Sequence, residues 1–201
     1  MADTSIEWTS KVWNPVRGCS RVSKGCDNCY AMRMAHRHSG PGRPYEGLTT
    51  IRKGKVDWMG SARFVPEQLA APFGWKKSRM IFVNSMSDLF HESLDFEHIA
   101  ACFGVMAAAN WHTYQVLTKR IDRVPEFFRW LDGWNFEDGS VRVERLVGAA
   151  IAAGLPEELV PSLNATWPLP NVWLGVSVEN QKAADERIPL LLRCPAAIRW
   201  I

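Results

Sequence analysis

Cys19, Cys26 and Cys29 fall within eleven residues and read C-x6-C-x2-C, with Gly18 directly before the first and Gly25 directly before the second. Thiolates are the ligands of soft metals and of iron-sulfur clusters. Three of them on one loop can take three irons of a four-iron, four-sulfur (4Fe-4S) cube and leave the fourth iron open to an outside ligand, which is what S-adenosylmethionine needs. The same sulfurs with His36 or His38 would instead complete a zinc tetrahedron, although zinc sites usually draw their cysteines in close pairs from two places, and here the second pair is missing. Five cysteines, an odd number with three crowded together, make poor material for a disulfide framework. Cys102, in an alanine-rich stretch, and Cys194, beside Pro195, read as buried small hydrophobes with no site role.

The motif lies between an expected first strand, Ser10 to Arg17, and an expected helix, Asp27 to His38. Short β-rich runs then alternate with helical stretches, the pattern of parallel strands joined by right-handed crossovers. Strands are expected at Arg79 to Asn84, Thr113 to Thr118, Asn171 to Ser177 and Ala196 to Ile201, and helices at Asp95 to Asn110, Ile121 to Leu131 and Gln181 to Leu192, the last shortened or kinked by Pro189. Two irregular insertions interrupt the rhythm, at about 39–74 with a short helix over Pro66 to Ala71, and at about 132–170 with a helix over Val141 to Ala153. The expectation is one α/β domain over 1–201, a partial parallel (β/α) barrel with the cysteine loop on its active face, where loops follow the strands. The final run is apolar and carries no covering helix, which suggests a copy truncated at the C-terminus of a longer barrel.

Beyond the cysteines, the segments Ile6-Glu7-Trp8-Thr9, Trp13-Asn14-Pro15, Asn84-Ser85-Met86-Ser87-Asp88-Leu89-Phe90-His91, Leu117-Thr118-Lys119-Arg120 and Trp173-Leu174-Gly175-Val176-Ser177-Val178-Glu179-Asn180 span nearly the whole chain. With the motif from Gly18 to Ala31, they make the sequence resemble a family of phage and bacterial proteins with a three-cysteine motif, often called radical-SAM-like. The resemblance implies a barrel of the radical-SAM type, a 4Fe-4S cluster and S-adenosylmethionine as cofactors, and a separately encoded partner protein. It also implies members longer at the C-terminus. The broad radical-SAM pattern is C-x3-C-x2-C with an aromatic before the third cysteine; here the first gap is six, and Tyr30 follows Cys29.

Each later strand runs into polar residues. For S-adenosylmethionine, an acidic group should hold the amino group, with Glu179 and Asp88 as candidates, and a cation the carboxylate, with Lys119 or Arg120; Ser177 and Asn180 supply further polar contacts. Asp88, His91 and Lys119 are the catalytic candidates. Simple structural roles compete at each: Asp88 and Asn180 stand where helix caps would, and a lone histidine such as His91 near a helix start is usually structural.

A net charge of +3 and 47% hydrophobic residues describe a packed, mildly basic chain. Nucleic acid is permitted as a partner, not demanded. The phage association implied by the resemblance favours nucleic acid or a nucleotide as substrate. Two other readings remain: a zinc module binding nucleic acid through Arg17, Arg21, Lys24, Arg33 and Arg37, whose bland alternative is a solvated face, and a cluster-bearing redox sensor. With no run of eighteen apolar residues and no secretion signal, a cytoplasmic protein without a membrane partner is expected.

Overall fold

The computed structural model describes residues 4, 6–133, 139–160 and 166–201. Pro15 has no N–H to give a neighbouring strand, and the expected first strand breaks there into β1 (Lys11–Trp13) and β2 (Val16–Gly18). A single helical turn, Lys24–Cys26, precedes α1 (Tyr30–Arg37), which starts three residues later than expected, immediately after Cys29. The insertion at 39–74 is not structureless. It contains the hairpin β3 (Thr49–Arg52) and β4 (Lys55–Trp58), and then β5 (Ala62–Phe64), which pairs antiparallel with β2. Lys53 and Gly54 both adopt positive φ, as a two-residue hairpin turn requires. Two short turns, Pro66–Gln68 and Ala71–Gly74, replace the expected helix at 66–71, because Pro72 cannot donate to a continuing helix.

The remaining elements are β6 (Met80–Val83), α2 (Phe96–Ala108), β7 (Thr113–Thr118), α3 (Arg123–Asp132), α4 (Gly139–Ala152), β8 (Val172–Val176), α5 (Gln181–Leu192) and β9 (Ile198–Trp200). Pro189 lies within α5 and does not shorten it. Part of the 132–170 excursion, 134–138 and 161–165, lies outside the described residues. No helix of the described residues is long and apolar enough to cross a membrane.

The central sheet is parallel with the order β1-β6-β7-β8-β9, every neighbour being the next strand of the sheet along the chain. Right-handed crossovers between strands in sequential order put all their helices on one side. Burial agrees. Ile81, Val83, Tyr114, Val116, Leu174 and Val176, alternate residues along their strands, share one apolar core with α2, α3 and α4. Residues 99–108 of α2 are buried on every side, and Gly104 lets α4 approach so closely that a Cβ there would lie 2.1 Å from the Leu146 carbonyl oxygen. The opposite face of the sheet, with Phe82, Gln115, Leu117 and Trp173 in or near register, stands outside that core. Over it lies Trp8, with its ring 4.7 Å from Phe82 and 5.2 Å from Trp200.

Candidate functional site

The cysteine loop is shaped at both ends by glycine. Gly18 has φ of +89°, and a Cβ there would sit 2.5 Å from the Ser61 carbonyl oxygen, so only glycine lets β2 turn into Cys19 while pairing with β5. At Gly25 a Cβ would meet the Glu179 carboxyl carbon at 2.8 Å. Glu179 is itself held by Arg187 Nη1 at 2.8 Å, so the loop rests on the start of α5. Arg21 ties the loop to the hairpin through Asp57 and to its own far end through Asp27.

Cys19, Cys26 and Cys29 all line one cavity of about 350 Å³ at the C-terminal ends of the parallel strands. Polar residues following β6 (Asn84, Ser85, Ser87, Asp88), at and after the end of β7 (Thr118, Lys119, Arg120) and after β8 (Ser177) line the same space. Trp8, Tyr30, Trp58 and Phe82 form an aromatic wall. The structure thus brings together the three cysteines, Asp88, Lys119 and Ser177. Glu179 and Asn180 line instead an adjoining cavity of about 580 Å³, between the cysteine loop and α5, into which Lys119 also faces. Asn180 caps α5, its Oδ1 accepting from Ala183 N at 2.9 Å. His91 is fully buried and lies behind the cavity, outside its lining.

Asp88 is saturated. Its Oδ1 accepts from Phe90 N (3.0 Å) and Thr118 Oγ1 (2.8 Å), and its Oδ2 from Lys119 N (3.1 Å) and Arg120 Nη1 (3.3 Å). Four donors occupy the four acceptor positions of a carboxylate. These bonds tie Asp88 to Arg120 and to the end of β7.

Arg120 is 8% exposed and makes the densest set of contacts. Its Nε donates to Glu92 (2.8 Å), its Nη2 to Ser20 O (3.1 Å) and Oγ (2.6 Å), and its Nη1 reaches Cys19 Sγ at 3.8 Å. Ser20 Oγ in turn donates to Glu92 at 2.8 Å. The Ser93 N–H donates to His91 Nδ1, which leaves the proton of a neutral ring on Nε2, 3.0 Å from Ser20 Oγ. Burial and then the Arg120 charge hold His91 below its ordinary range. Arg123 caps this loop by donating to the carbonyls of His91 and Leu94. Burial opposes ionisation of Glu92, but bonds from backbone N–H, Ser20 and Arg120 outweigh it and pull the carboxyl down to about 2. Burial drives the Cys19 thiol the other way, up to about 12, against the pull of Arg120. A free nucleophilic cysteine needs a lowered pKa, so this setting does not activate Cys19 as one.

Not every polar group of these residues is paired among the described residues. Lys119 makes no side-chain hydrogen bond or salt bridge with a described residue. Asn84 is 2% exposed and takes a left-handed φ of 60°; its Oδ1 accepts from Val16 N (3.2 Å), while its Nδ2 has no partner. A buried unpartnered donor costs about 1–3 kcal/mol.

Among the described residues, no group of three or more His, Cys, Asp or Glu side chains is drawn together as ligands of one metal ion. Zinc would need its sulfurs about 3.8 Å apart, from a Zn–S bond of about 2.3 Å in a tetrahedron. His36 faces Thr49 of the hairpin at 3.1 Å, and neither His36 nor His38 lines the cavity. A cube places each cysteine on its own iron, so its three sulfurs stand further apart around a larger centre. Three thiols on one cavity wall are the donor type such a group takes.

Sequence reasoning named Arg120 only as an alternative to Lys119, placed Asn84 among the polar residues that follow its strand without giving it a role, and did not find Glu92 or Ser20. The one signal available was the run Asp88 to Glu92, carrying two acids opposite Lys119-Arg120. No curated protein and no solved structure matches the chain. Residues 3–201 match the family described as "Protein of unknown function (DUF5131)", and the chain belongs to that family.

Proposed function

We propose that the protein is an iron-sulfur, S-adenosylmethionine-dependent radical enzyme, built on part of a parallel (β/α) barrel whose interior is the sheet face opposite the helices. The observation that carries this reading is the sharing of one cavity by Cys19, Cys26 and Cys29 with the polar C-terminal ends of the strands. In barrels, loops at that end carry the chemistry. The three cysteines would hold the cluster, whose bound form, given an electron by an outside reductant, cleaves S-adenosylmethionine to methionine and a 5′-deoxyadenosyl radical that takes hydrogen from the substrate.

The chain's own groups divide the remaining work. Lys119, which makes no side-chain hydrogen bond or salt bridge with a described residue, would bind the cofactor's carboxylate, and Ser177 would offer its hydroxyl within the same cavity. Of the two acids expected for the amino group, Asp88 is filled and Glu179 stands in the adjoining cavity. Trp8, Tyr30, Trp58 and Phe82 would exclude water from the reacting atoms. Nucleic acid or a nucleotide remains the substrate class that the family resemblance suggests.

Anaerobic purification tests the reading. The expected result is a brown protein with about four irons per chain, lost in Cys26→Ala and kept in Cys102→Ala, and releasing 5′-deoxyadenosine from S-adenosylmethionine with dithionite. Stoichiometric zinc in a colourless protein, or equal loss of iron from both variants, would refute it.

A further inference from the structure

Most of the polar groups in the cavity wall satisfy one another. Two nitrogens are arranged differently. Arg120 Nη1 lies 3.8 Å from Cys19 Sγ, on a guanidinium locked by Asp88, Glu92 and Ser20. Asn84, nine-tenths buried on the wall of the same cavity, has its oxygen engaged by the Val16 N–H and its Nδ2 left over. Asparagine is among the few non-glycine residues that tolerate the left-handed backbone found here, so the position admits few replacements that would keep both the turn and the donor.

We infer that Arg120 and Asn84 are positioning residues that donate N–H groups to an electron-rich sulfur centre in the cysteine cavity and so set how readily that centre accepts an electron. The inference rests on the reading of the cavity as a cluster site.

The physical reason is charge. Taking up one electron from an outside reductant makes a thiolate-ligated cube one unit more negative, with no bond broken and no proton required. Hydrogen bonds to the sulfurs and a fixed positive charge beside them stabilise the reduced state more than the oxidised one and raise the reduction potential. Arg120 acts on Cys19 directly and also offsets Asp88 and Glu92, two carboxylates that would otherwise disfavour the added electron. Asn84 contributes a neutral donor from the end of β6.

The test is a mediated dithionite titration of the anaerobically prepared full chain, read by electron paramagnetic resonance of the reduced cluster. Asn84→Asp keeps an acceptor for Val16 N–H but replaces the donor with a negative oxygen. Arg120→Gln removes the charge, and Arg120→Lys restores it without the guanidinium fork. Asn84→Asp and Arg120→Gln are each expected to weaken electron uptake about tenfold, a fall of about 59 mV for a one-electron couple, with Arg120→Lys in between. Should Arg120→Gln fail to fold, Asn84→Asp and Arg120→Lys decide the matter. Wild-type potential in correctly folded, fully iron-loaded variants overturns this inference alone. A wild-type chain that takes up no iron overturns it together with the proposed function.

Discussion

Replacing Asp88 with asparagine preserves shape and removes charge, so its cost isolates what the four hydrogen bonds at this carboxylate contribute. An amide must place its NH2 at one end. At the Oδ2 position it would face Lys119 N–H and Arg120 Nη1, both donors; at the Oδ1 position it would face Phe90 N–H and Thr118 Oγ1. In the second, milder orientation Thr118 can turn its hydroxyl, and one buried N–H loses its acceptor at about 1–3 kcal/mol. Arg120, 8% exposed, also loses its buried counter-charge and keeps only Glu92, which is largely in solvent. Breaking a buried ion pair from one side costs about 3–5 kcal/mol, and this residual partner keeps that loss at the lower end, about 3 kcal/mol, for an expected total of about 4 kcal/mol. With a urea m-value of about 2 kcal/mol/M, the unfolding midpoint should fall by about 2 M, followed by the fluorescence of the ten tryptophans. A midpoint within about 0.3 M of wild type would show that Asp88 is not the anchor of this wall.

Two further outcomes follow from the same geometry. Gly18→Ala places a Cβ 2.5 Å from the Ser61 carbonyl oxygen at φ of +89°, and a strained backbone of this kind costs about 1–3 kcal/mol before the clash is counted. The variant should unfold at lower urea and lose metal uptake, whereas a wild-type midpoint would mean that the β2–β5 pairing does not fix the loop. Stability should also decline as the pH is lowered from about 7 to about 5.5, above the range where carboxylates titrate. His91 and His112 are held neutral, first by burial, with pKa below 6.5, so the unfolded chain takes up the proton more readily and is favoured as the medium becomes acidic. His91→Gln should flatten part of that slope, and an equal slope in the variant would assign the effect to His112 alone.

The elements that an isolated segment can specify were legible in the sequence. Thr113–Thr118 and Gln181–Leu192 lie where apolar runs and helical period place them, and α2 differs from its expected range only in its terminal residues. The hairpin at 49–58 was hidden by the glycine and proline density around it, although Lys53-Gly54 between two alternating runs was a usable turn signal. The first strand was read too long because Pro15 acts through the missing partner hydrogen bond, which a hydrophobic pattern does not register. In the site, the meeting of the cysteines with the later strand ends follows from the parallel topology, and that much could be anticipated. The Arg120 network could not. Its members Ser20, Asp88, Glu92 and Arg120 are separated by up to 100 residues, and side-chain pairing across such distances leaves no local trace.

The side chains around the cavity therefore fall into two kinds that sequence alone presents as one polar set. Asp88, Glu92, Ser20, His91 and the Glu179–Arg187 pair have found partners within the fold, and their chemistry is spent on holding the loop and the strand ends in place. The thiols of Cys26 and Cys29, the Lys119 ammonium, the Ser177 hydroxyl and Asn84 Nδ2 have no hydrogen-bond partner among the described residues, whereas the Cys19 thiol meets Ser20 O and Arg120. A polar group at the end of a parallel strand is as readily consumed by the scaffold as offered to a ligand, and only its count of filled donor and acceptor positions separates the two. On that count Asp88 and His91 are engaged within the fold, while the Lys119 ammonium and the Ser177 hydroxyl have no hydrogen-bond partner among the described residues.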